Sequence, residues 1–237
     1  MEHYGLGRRL AAEALGTAAL VAAVVGSGIM ADSLTDDDAL ALLCNALATG
    51  AALVVLISVL GPISGAHLNP AVTVALRLRG GLGTSEAAAY IAVQVLAGLV
   101  GALAAHLMFD LSLLQHATTV RTGAGQWLAE VIATLGLVGA ILAGLRFRPE
   151  SVPWLVGLYI TAAYWFTSST SFANPAVAIA RSFTDTFTGI RAADVPAFVT
   201  AELLGGLVAA ALFGWLLGPA IAAEPESAQA AVLEVKR

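Results

Sequence analysis

The sequence predicts an all-α membrane protein in which six transmembrane helices and two re-entrant half-helices form an inverted repeat. Composition is the first observation behind this prediction: 59% of the 237 residues are hydrophobic and 11% are charged, less than half of the roughly 25% found in soluble domains. The second is a set of six apolar runs long enough to cross a bilayer. The third is the motif Asn-Pro-Ala, which occurs at matching places in the two halves of the chain.

This composition excludes several classes of function. A chain of this size cannot bury so much apolar surface in one water-soluble core, which excludes a soluble enzyme and a disordered protein. The formal net charge of −5 argues against nucleic acid as a partner. The single cysteine, Cys44, lies in an apolar run, so the sequence offers neither a disulfide framework nor a cysteine-based zinc cluster. We expect no cofactor, no metal and no catalytic residue, and we expect the partners to be the lipid bilayer and small-molecule solutes.

The six predicted spans are apolar runs bounded by charges, glycine and proline. Arg8 and Arg9 precede the first run, as in a signal peptide, but the run is too long for the apolar core of such a peptide and five more follow. We therefore expect it to be a retained helix. The spans cover about residues 9–31, 39–60, 84–108, 125–146, 152–168 and 194–218.

Two further segments are too short to span the membrane and are predicted to be re-entrant. Residues 61–80 read GPISGAHLNPAVTVALRLRG, and residues 169–184 read STSFANPAVAIARSFT. Each segment opens with small, turn-forming residues and becomes helical at Asn-Pro-Ala, because Asn is a favoured N-cap and Pro a favoured first helical residue. The two predicted helix starts are Asn69-Pro70-Ala71 and Asn174-Pro175-Ala176.

The two halves of the chain resemble each other. SGAHLNPAV at 64–72 aligns with SFANPAV at 171–177, and AYIAVQVLAGLVGALA at 89–104 aligns without gaps with AFVTAELLGGLVAAAL at 197–212. The second alignment pairs Gln94 with Glu202, and a third, AEALGT with AEVIAT, pairs Glu13 with Glu130.

The number of spans in each half determines how the halves are related. The repeats, about 9–108 and 125–218, hold three spans each, so the second half must lie upside down relative to the first. Inverted repeats with broken helices are typical of transport folds whose site lies near the bilayer midplane. We expect residues 1–237 to form a single transmembrane channel domain.

Positive charge predicts the orientation of the chain. If the N-terminus is cytoplasmic, eight cationic residues lie inside and three outside, in agreement with the positive-inside rule. Both termini are then cytoplasmic. The inside residues are Arg8, Arg9, Arg77, Arg79, Arg146, Arg148, Lys236 and Arg237, and the outside residues are Arg121, Arg181 and Arg191.

Each half-helix points its N-terminus, with free N–H groups and the positive end of its dipole, at the membrane centre. The side-chain oxygens of Asn69 and Asn174 can cap these helices, which leaves their NH₂ donors to face a permeant molecule. The unwound backbone before each Asn offers carbonyl acceptors, which at this depth must line a wet cavity. Such a centre favours neutral hydroxylic solutes and repels cations. The predicted pore-lining residues are Gly65, Ala66, His67, Phe172 and Ala173.

The paired Asn-Pro-Ala motifs, the SGAHLNPAVT run and a Glu in spans one and four closely resemble the aquaporin, or major intrinsic protein, family over about residues 9–218. The resemblance implies an aquaporin-like fold and a homotetrameric channel in the inner or plasma membrane. It also implies that Glu13 and Glu130 are buried structural groups that accept hydrogen bonds from the re-entrant backbone. The alternative is that the two carboxylates relay protons in a proton-coupled transporter.

The second motif departs from the family pattern, in which Arg follows Asn-Pro-Ala. Val177 occupies that position here, and the family's spacing places the other three residues of the outer selectivity filter at Thr49, Ala162 and Ser171. All four are small and uncharged, which predicts a wide, weakly discriminating constriction. The segment NPAVAIARSF resembles bacterial aquaporins associated with arsenic-resistance gene clusters. This resemblance implies passage of glycerol-sized polyols, arsenite and methylated arsenicals.

Arg181 leaves two alternatives open. It lies four residues after Val177, about one helical turn farther out on nearly the same face. It either guards the outer vestibule, as the filter of an ordinary water or glycerol channel, or forms an i,i+4 pair with Asp185.

Overall fold

The computed structural model describes residues 4–218, all of whose regular secondary structure is helical. The predicted cytoplasmic charges at Lys236 and Arg237 lie outside this range. In each half of the described chain, two longer helices are followed by a half-helix of 9 or 7 residues and then by another long helix. The α-helices are α1 (Leu6–Leu34), α2 (Asp38–Ser64), α3 (Pro70–Leu78), α4 (Thr84–Met108), α5 (Ala124–Phe147), α6 (Val152–Phe166), α7 (Pro175–Arg181) and α8 (Val195–Leu216).

Five stretches are long and apolar enough to cross a membrane: α1, α2, α4, α5 and α8 with its preceding turn. The sixth predicted span, 152–168, corresponds to α6, which has 15 residues. At 1.5 Å per residue α6 is about 22 Å long, less than a full crossing. A 3₁₀ turn over Pro149–Ser151 leads directly into its N-terminus.

The structure corrects where the first re-entrant segment begins. We predicted that it starts at residue 61, but α2 continues through Pro62 to Ser64. Pro62 is accommodated in the last turns of the helix, and Gly65, in the left-handed conformation with φ of 88°, ends it. The unwound part of the segment is therefore confined to residues 65–69.

Both half-helices begin at the predicted residues. The Asn69 side chain accepts hydrogen bonds from the backbone N–H groups of Ala71 at 2.8 Å and of Val72. Asn174 caps α7 in the same way, accepting from Ala176 at 3.0 Å and from Val177. A proline follows each Asn as the first helical residue, where its missing N–H costs nothing.

Helix packing follows the same plan in both halves. Helix α1 packs on α2 and α4, while α5 packs on α6 and α8. The half-helices join the halves, because α3 contacts α8 and α7 contacts α4. The closest crossings depend on glycine: a Cβ at Gly101 would lie 2.3 Å from the carbonyl oxygen of Ala18, and one at Gly205 would lie 2.5 Å from that of Val131.

Polarity in the bundle is the reverse of that in a soluble protein. Large apolar side chains such as Trp215, 78% exposed, and Trp154, 60% exposed, cover the outer surface. Glu13, Gln94, Glu130 and Glu202 are completely buried between the helices. This distribution suits a protein whose solvent is hydrocarbon, with hydrogen-bonded polar groups kept inside.

Candidate pore

The two re-entrant segments meet through their asparagines. The amide nitrogen Nδ2 of Asn69 donates to the carbonyl oxygen of Ala173 at 2.7 Å, and that of Asn174 donates to the carbonyl oxygen of Leu68 at 2.8 Å. Both side chains also line the central cavity. The expectation that the whole amide faces the solute is therefore corrected. One N–H of each amide joins the two segments, and the other is left for a permeant molecule.

The backbone before each asparagine is strained at equivalent positions. Ala66 and Leu68, three and one residues before Asn69, have φ values of 45° and 50°. Ser171 and Ala173, three and one residues before Asn174, have φ values of 51° and 48°. The left-handed region costs roughly 1–2 kcal/mol for a residue with a Cβ. Groups outside the segments must hold this conformation.

Glu13 is one such group. Its carboxylate accepts hydrogen bonds from the backbone N–H groups of His67 at 2.9 Å and Leu68 at 2.7 Å. The hydroxyl of Ser64, at 2.7 Å, and the amide of Gln94, at 2.8 Å, donate to the same carboxylate. With four donors its charge is well compensated.

Glu130 has the equivalent position in the second half. It accepts hydrogen bonds from the backbone N–H groups of Phe172 at 2.9 Å and Ala173 at 2.7 Å. Neither Glu13 nor Glu130 contributes to the lining of the central cavity. Their contacts are those that the structural hypothesis requires, and a proton relay would need an opening to the pore that this lining does not provide.

The central cavity has a volume of about 60 Å³ and runs past both asparagines. Most of the residues predicted from the sequence contribute to its wall, but Gly65 does not, because its role is to end α2. Pro70, Ala71, Pro175 and Ala176 lie behind the wall as the first residues of the half-helices. The predicted residues that line the cavity are Thr49, Ala66, His67, Asn69, Ser171, Phe172, Ala173, Asn174, Val177 and Arg181.

Ala162 is the filter residue that the sequence predicted wrongly. It lies exposed on the outer face of α6, whereas Ile160 and Tyr164 line the cavity. Two residues along an α-helix correspond to a rotation of about 200°, so Ala162 faces away from both. Tyr164 supplies the polar group from α6, and its hydroxyl lies 3.2 Å from Oγ1 of Thr49. The spacing of Val156, Ile160 and Tyr164 was the signal for this buried face.

Arg181 lies at the outer end of the cavity rather than at the protein surface. Its side chain is 2% exposed and lines both the central cavity, with Val177, and a second cavity that Asp38 and Arg121 also line. The guanidinium carbon lies 3.4 Å from the centre of the Phe172 ring. Its Nε donates to the carbonyl oxygen of Thr188.

The proposed pair between Arg181 and Asp185 does not form. The carboxylate of Asp185 instead accepts hydrogen bonds from the backbone N–H and hydroxyl of Thr118, at 2.8 and 2.9 Å. The i,i+4 alternative for Arg181 is therefore wrong, and its vestibule role stays a prediction. The wall of the central cavity contains the guanidinium of Arg181 and the phenol of Tyr164 in addition to Thr49, Ser171 and Val177.

Arg121 is a pore-mouth residue that sequence reasoning did not single out. It lies on the α4–α5 connection, and its guanidinium carbon is 5.2 Å from the centre of the Phe172 ring. Its Nε donates to the carbonyl oxygen of Gly189 at 2.8 Å, and its backbone N–H donates to Asp194 at 2.9 Å. The connection lacks a periodic pattern, so no local signal places Arg121 here.

Comparison with known proteins agrees with this architecture. Residues 1–148 match the family model of the major intrinsic protein. The chain is 64% identical over 220 residues to aquaglyceroporin AqpS of Rhizobium meliloti, covering 93% of this chain and 94% of the relative. It is 32% identical over 188 residues to human aquaporin-5, covering 73% and 69% of the two chains.

The X-ray structure of the aquaglyceroporin from Plasmodium falciparum has the same fold, with a TM-score of 0.71 at 22% identity. The superposition covers 91% of this chain and 98% of that one. Together with the family match and the paired asparagine-capped half-helices, this likeness shows that the chain belongs to the major intrinsic protein family of multi-pass membrane proteins, which are channels rather than enzymes.

Proposed function

We propose that this protein is a passive channel for small neutral solutes: water, glycerol-sized polyols, and metalloid hydroxides such as arsenite together with methylated arsenicals. The observation that carries the proposal is Val177, which lines the cavity at the position where the family has an arginine. An isopropyl side chain there occupies less of the cross-section than a guanidinium. It also adds no fixed charge and no hydrogen-bond donor.

The chemistry of the pore wall supports neutral solutes. Each asparagine retains one N–H for a solute oxygen, while the N-termini of α3 and α7 direct their positive ends at the same point. A solute with hydroxyl groups can accept from these donors and donate to the carbonyl oxygens of the unwound segments. Cations meet the positive ends of two helices and gain no compensating carboxylate from the lining residues around the asparagines.

Similarity to known proteins supports the glycerol class. The relative that shares 64% identity with this chain is named an aquaglyceroporin. The arsenical substrates depend on the resemblance of the NPAVAIARSF segment to channels of arsenic-resistance clusters and on the absence of an arginine at Val177.

A second candidate function is an ordinary water and glycerol channel with its filter at Arg181. The observation that favours it is the position of Arg181, which lies in the wall of the same cavity and stacks on Phe172. A proton-coupled transporter has no such support, because Glu13 and Glu130 are enclosed by backbone donors away from the cavity.

We further propose a homotetramer in the inner or plasma membrane with both termini cytoplasmic. The charge bias among the described residues supports this orientation, since Arg8, Arg77 and Arg146 lie at the ends assigned to the cytoplasm. The broad apolar outer surface can face either lipid or neighbouring copies.

Proteoliposomes test the proposed substrate class. Purified protein is reconstituted, and shrinking or swelling is followed in gradients of an impermeant osmolyte, glycerol and a methylated arsenical. We expect the fluxes of water, glycerol and the methylated arsenical all to exceed those of protein-free vesicles. None of them should depend on an imposed pH gradient. Glycerol flux without arsenical flux would favour the filter at Arg181 and contradict the wider pore.

A further inference from the structure

The two halves of the channel support their re-entrant segments with different side chains. Gln94 on α4 and Glu202 on α8 occupy equivalent positions in the repeat, and both are completely buried. A glutamine amide has N–H donors, whereas an ionised glutamate has none. The second half must therefore satisfy its hydrogen bonds differently.

The first half shows what this position contributes. Nε2 of Gln94 donates to Oε2 of Glu13 at 2.8 Å and lies 3.0 Å from the hydroxyl oxygen of Thr73. Glu13 in turn holds the strained backbone at His67 and Leu68. Gln94 is thus a donor to the carboxylate that positions the segment before Asn69.

The second half has a carboxyl group where that donor should be. Glu202 occupies the place beside Glu130 that Gln94 occupies beside Glu13, and Glu130 holds Phe172 and Ala173. Oε1 of Glu202 accepts a hydrogen bond from the backbone N–H of Asn174 at 3.1 Å. Its Oε2 is buried and has no hydrogen-bond partner within residues 4–218.

Two ionised carboxylates in contact at this depth would repel each other strongly, because the low dielectric weakens screening. The unpartnered Oε2 would add the cost of a buried polar atom. One proton on Oε2 removes both the repulsion and the unpartnered atom. It neutralises Glu202 and gives Glu130 a donor in the place where Gln94 donates to Glu13. We propose that Glu202 is a neutral carboxylic acid that donates to Glu130, so that the pair binds one proton and positions Asn174.

Within residues 4–218, the hydroxyl of Ser169 also donates to Glu130, as that of Ser64 donates to Glu13, so the place that remains to be filled is that of the Gln94 amide. The titratable or charged side chains that interact electrostatically with one or both carboxyl groups are Arg121, Arg181, Tyr159 and Tyr164. Nε of each arginine is engaged by a loop carbonyl oxygen, at Gly189 and Thr188. The phenol of Tyr159 donates to Ile132, and that of Tyr164 pairs with Thr49.

Glu202 therefore acts as a positioning residue rather than as part of the solute path. It does not line the central cavity, and it contacts the pore only through the backbone of Asn174. The proton it holds is structural, and its presence does not depend on which solute the channel conducts.

Infrared spectroscopy of the reconstituted full chain tests the proton directly. At neutral pH we expect the C=O stretching band of a buried carboxylic acid in the wild type and its loss in Glu202→Gln. The matched variant Gln94→Glu, which creates the same pair with Glu13, should add a second acid band. Absence of the band in the wild type, its persistence in Glu202→Gln, or no added band in Gln94→Glu would overturn the proposal.

Water flux tests the positioning role. The amide in Glu202→Gln can donate to Glu130 and accept from Asn174, so flux should stay within about twofold of wild type. Glu202→Leu can do neither, and flux per folded protein should fall about tenfold. If Glu202→Gln folds like the wild type but loses as much flux as Glu202→Leu, the neutral-donor role is wrong.

Discussion

Val177 and Arg181 lie one helical turn apart on α7, and both line the central cavity. The first provides an apolar surface close to Asn174, and the second places a guanidinium over Phe172 at the outer end. The channel therefore separates the charge of the outer arginine from the position next to the second Asn-Pro-Ala motif. The variants below test which of these two positions governs selectivity.

Replacing Arg181 tests how far this residue determines which solutes pass. Arg181→Ala should lower stability by about 1–2 kcal/mol through loss of the stacked guanidinium. If Val177 governs selectivity, Arg181→Ala should leave the ratio of arsenical to water flux nearly unchanged. Arg181→Lys is the control that keeps the charge while losing the planar stack. Thermal unfolding and stopped-flow flux measure the two effects, and a several-fold rise in the ratio for Arg181→Ala would assign the filter to Arg181.

The carboxylate of Glu13 should matter for folding rather than for proton coupling. Glu13→Gln places an NH₂ group opposite two of the four donors from which the carboxylate now accepts, so the free energy of unfolding should fall by about 1–3 kcal/mol. Solute uptake by the wild type should be the same with and without a pH gradient. Accumulation of solute against its gradient, driven by protons, would support the transporter.

Cation exclusion should depend on the asparagine amides. Asn69→Asp removes the donor to Ala173 and adds negative charge between the two helix N-termini, so cation current should rise. Asn69→Ala removes the same donor without adding charge and should leave the current low. Planar-bilayer recordings compare the two variants. Equal currents in both would show that the loss of the hydrogen bond, rather than the charge, opens the path.

The glycine contacts between helices should tolerate no added atoms. Gly101→Ala and Gly205→Ala would each push a methyl group against a backbone carbonyl of the facing helix, which costs about 1–3 kcal/mol. Gly7→Ala on α1 has no atom within 4 Å of the new methyl group and serves as the control. Thermal unfolding in detergent should show a loss for the first two variants only. A matching loss in the control would mean that packing is not the cause.

The sequence alone predicted the structural features that depend on neighbouring residues. Asn followed by Pro determines both half-helix starts, because cap geometry needs only neighbouring residues. The long apolar runs likewise predicted five of the membrane-crossing helices. The repeat paired Glu13 with Glu130 before their contacts were known, since aligned segments keep their partners in space.

Features that depend on contacts between distant parts of the chain could not be predicted in this way. Counting residues from the second Asn gave Ala162 instead of Tyr164, because an error of two residues turns a helix position to the opposite face. The exchange of hydrogen bonds between Asn69 and Ala173 joins positions that are 104 residues apart. Arg121 reaches the pore mouth through a connection without periodicity.

The proposed width of the channel depends on Val177, which in place of an arginine leaves room for methylated arsenicals. Val177→Arg restores bulk and charge beside Asn174, and Val177→Leu is a control that adds volume without charge. The decisive measurement is the ratio of methylated-arsenical flux to water flux in proteoliposomes of the wild type and Val177→Arg. The ratio should fall about tenfold or more in Val177→Arg, because water still fits beside an arginine. An unchanged ratio in folded Val177→Arg would mean that Val177 does not set the width of the channel.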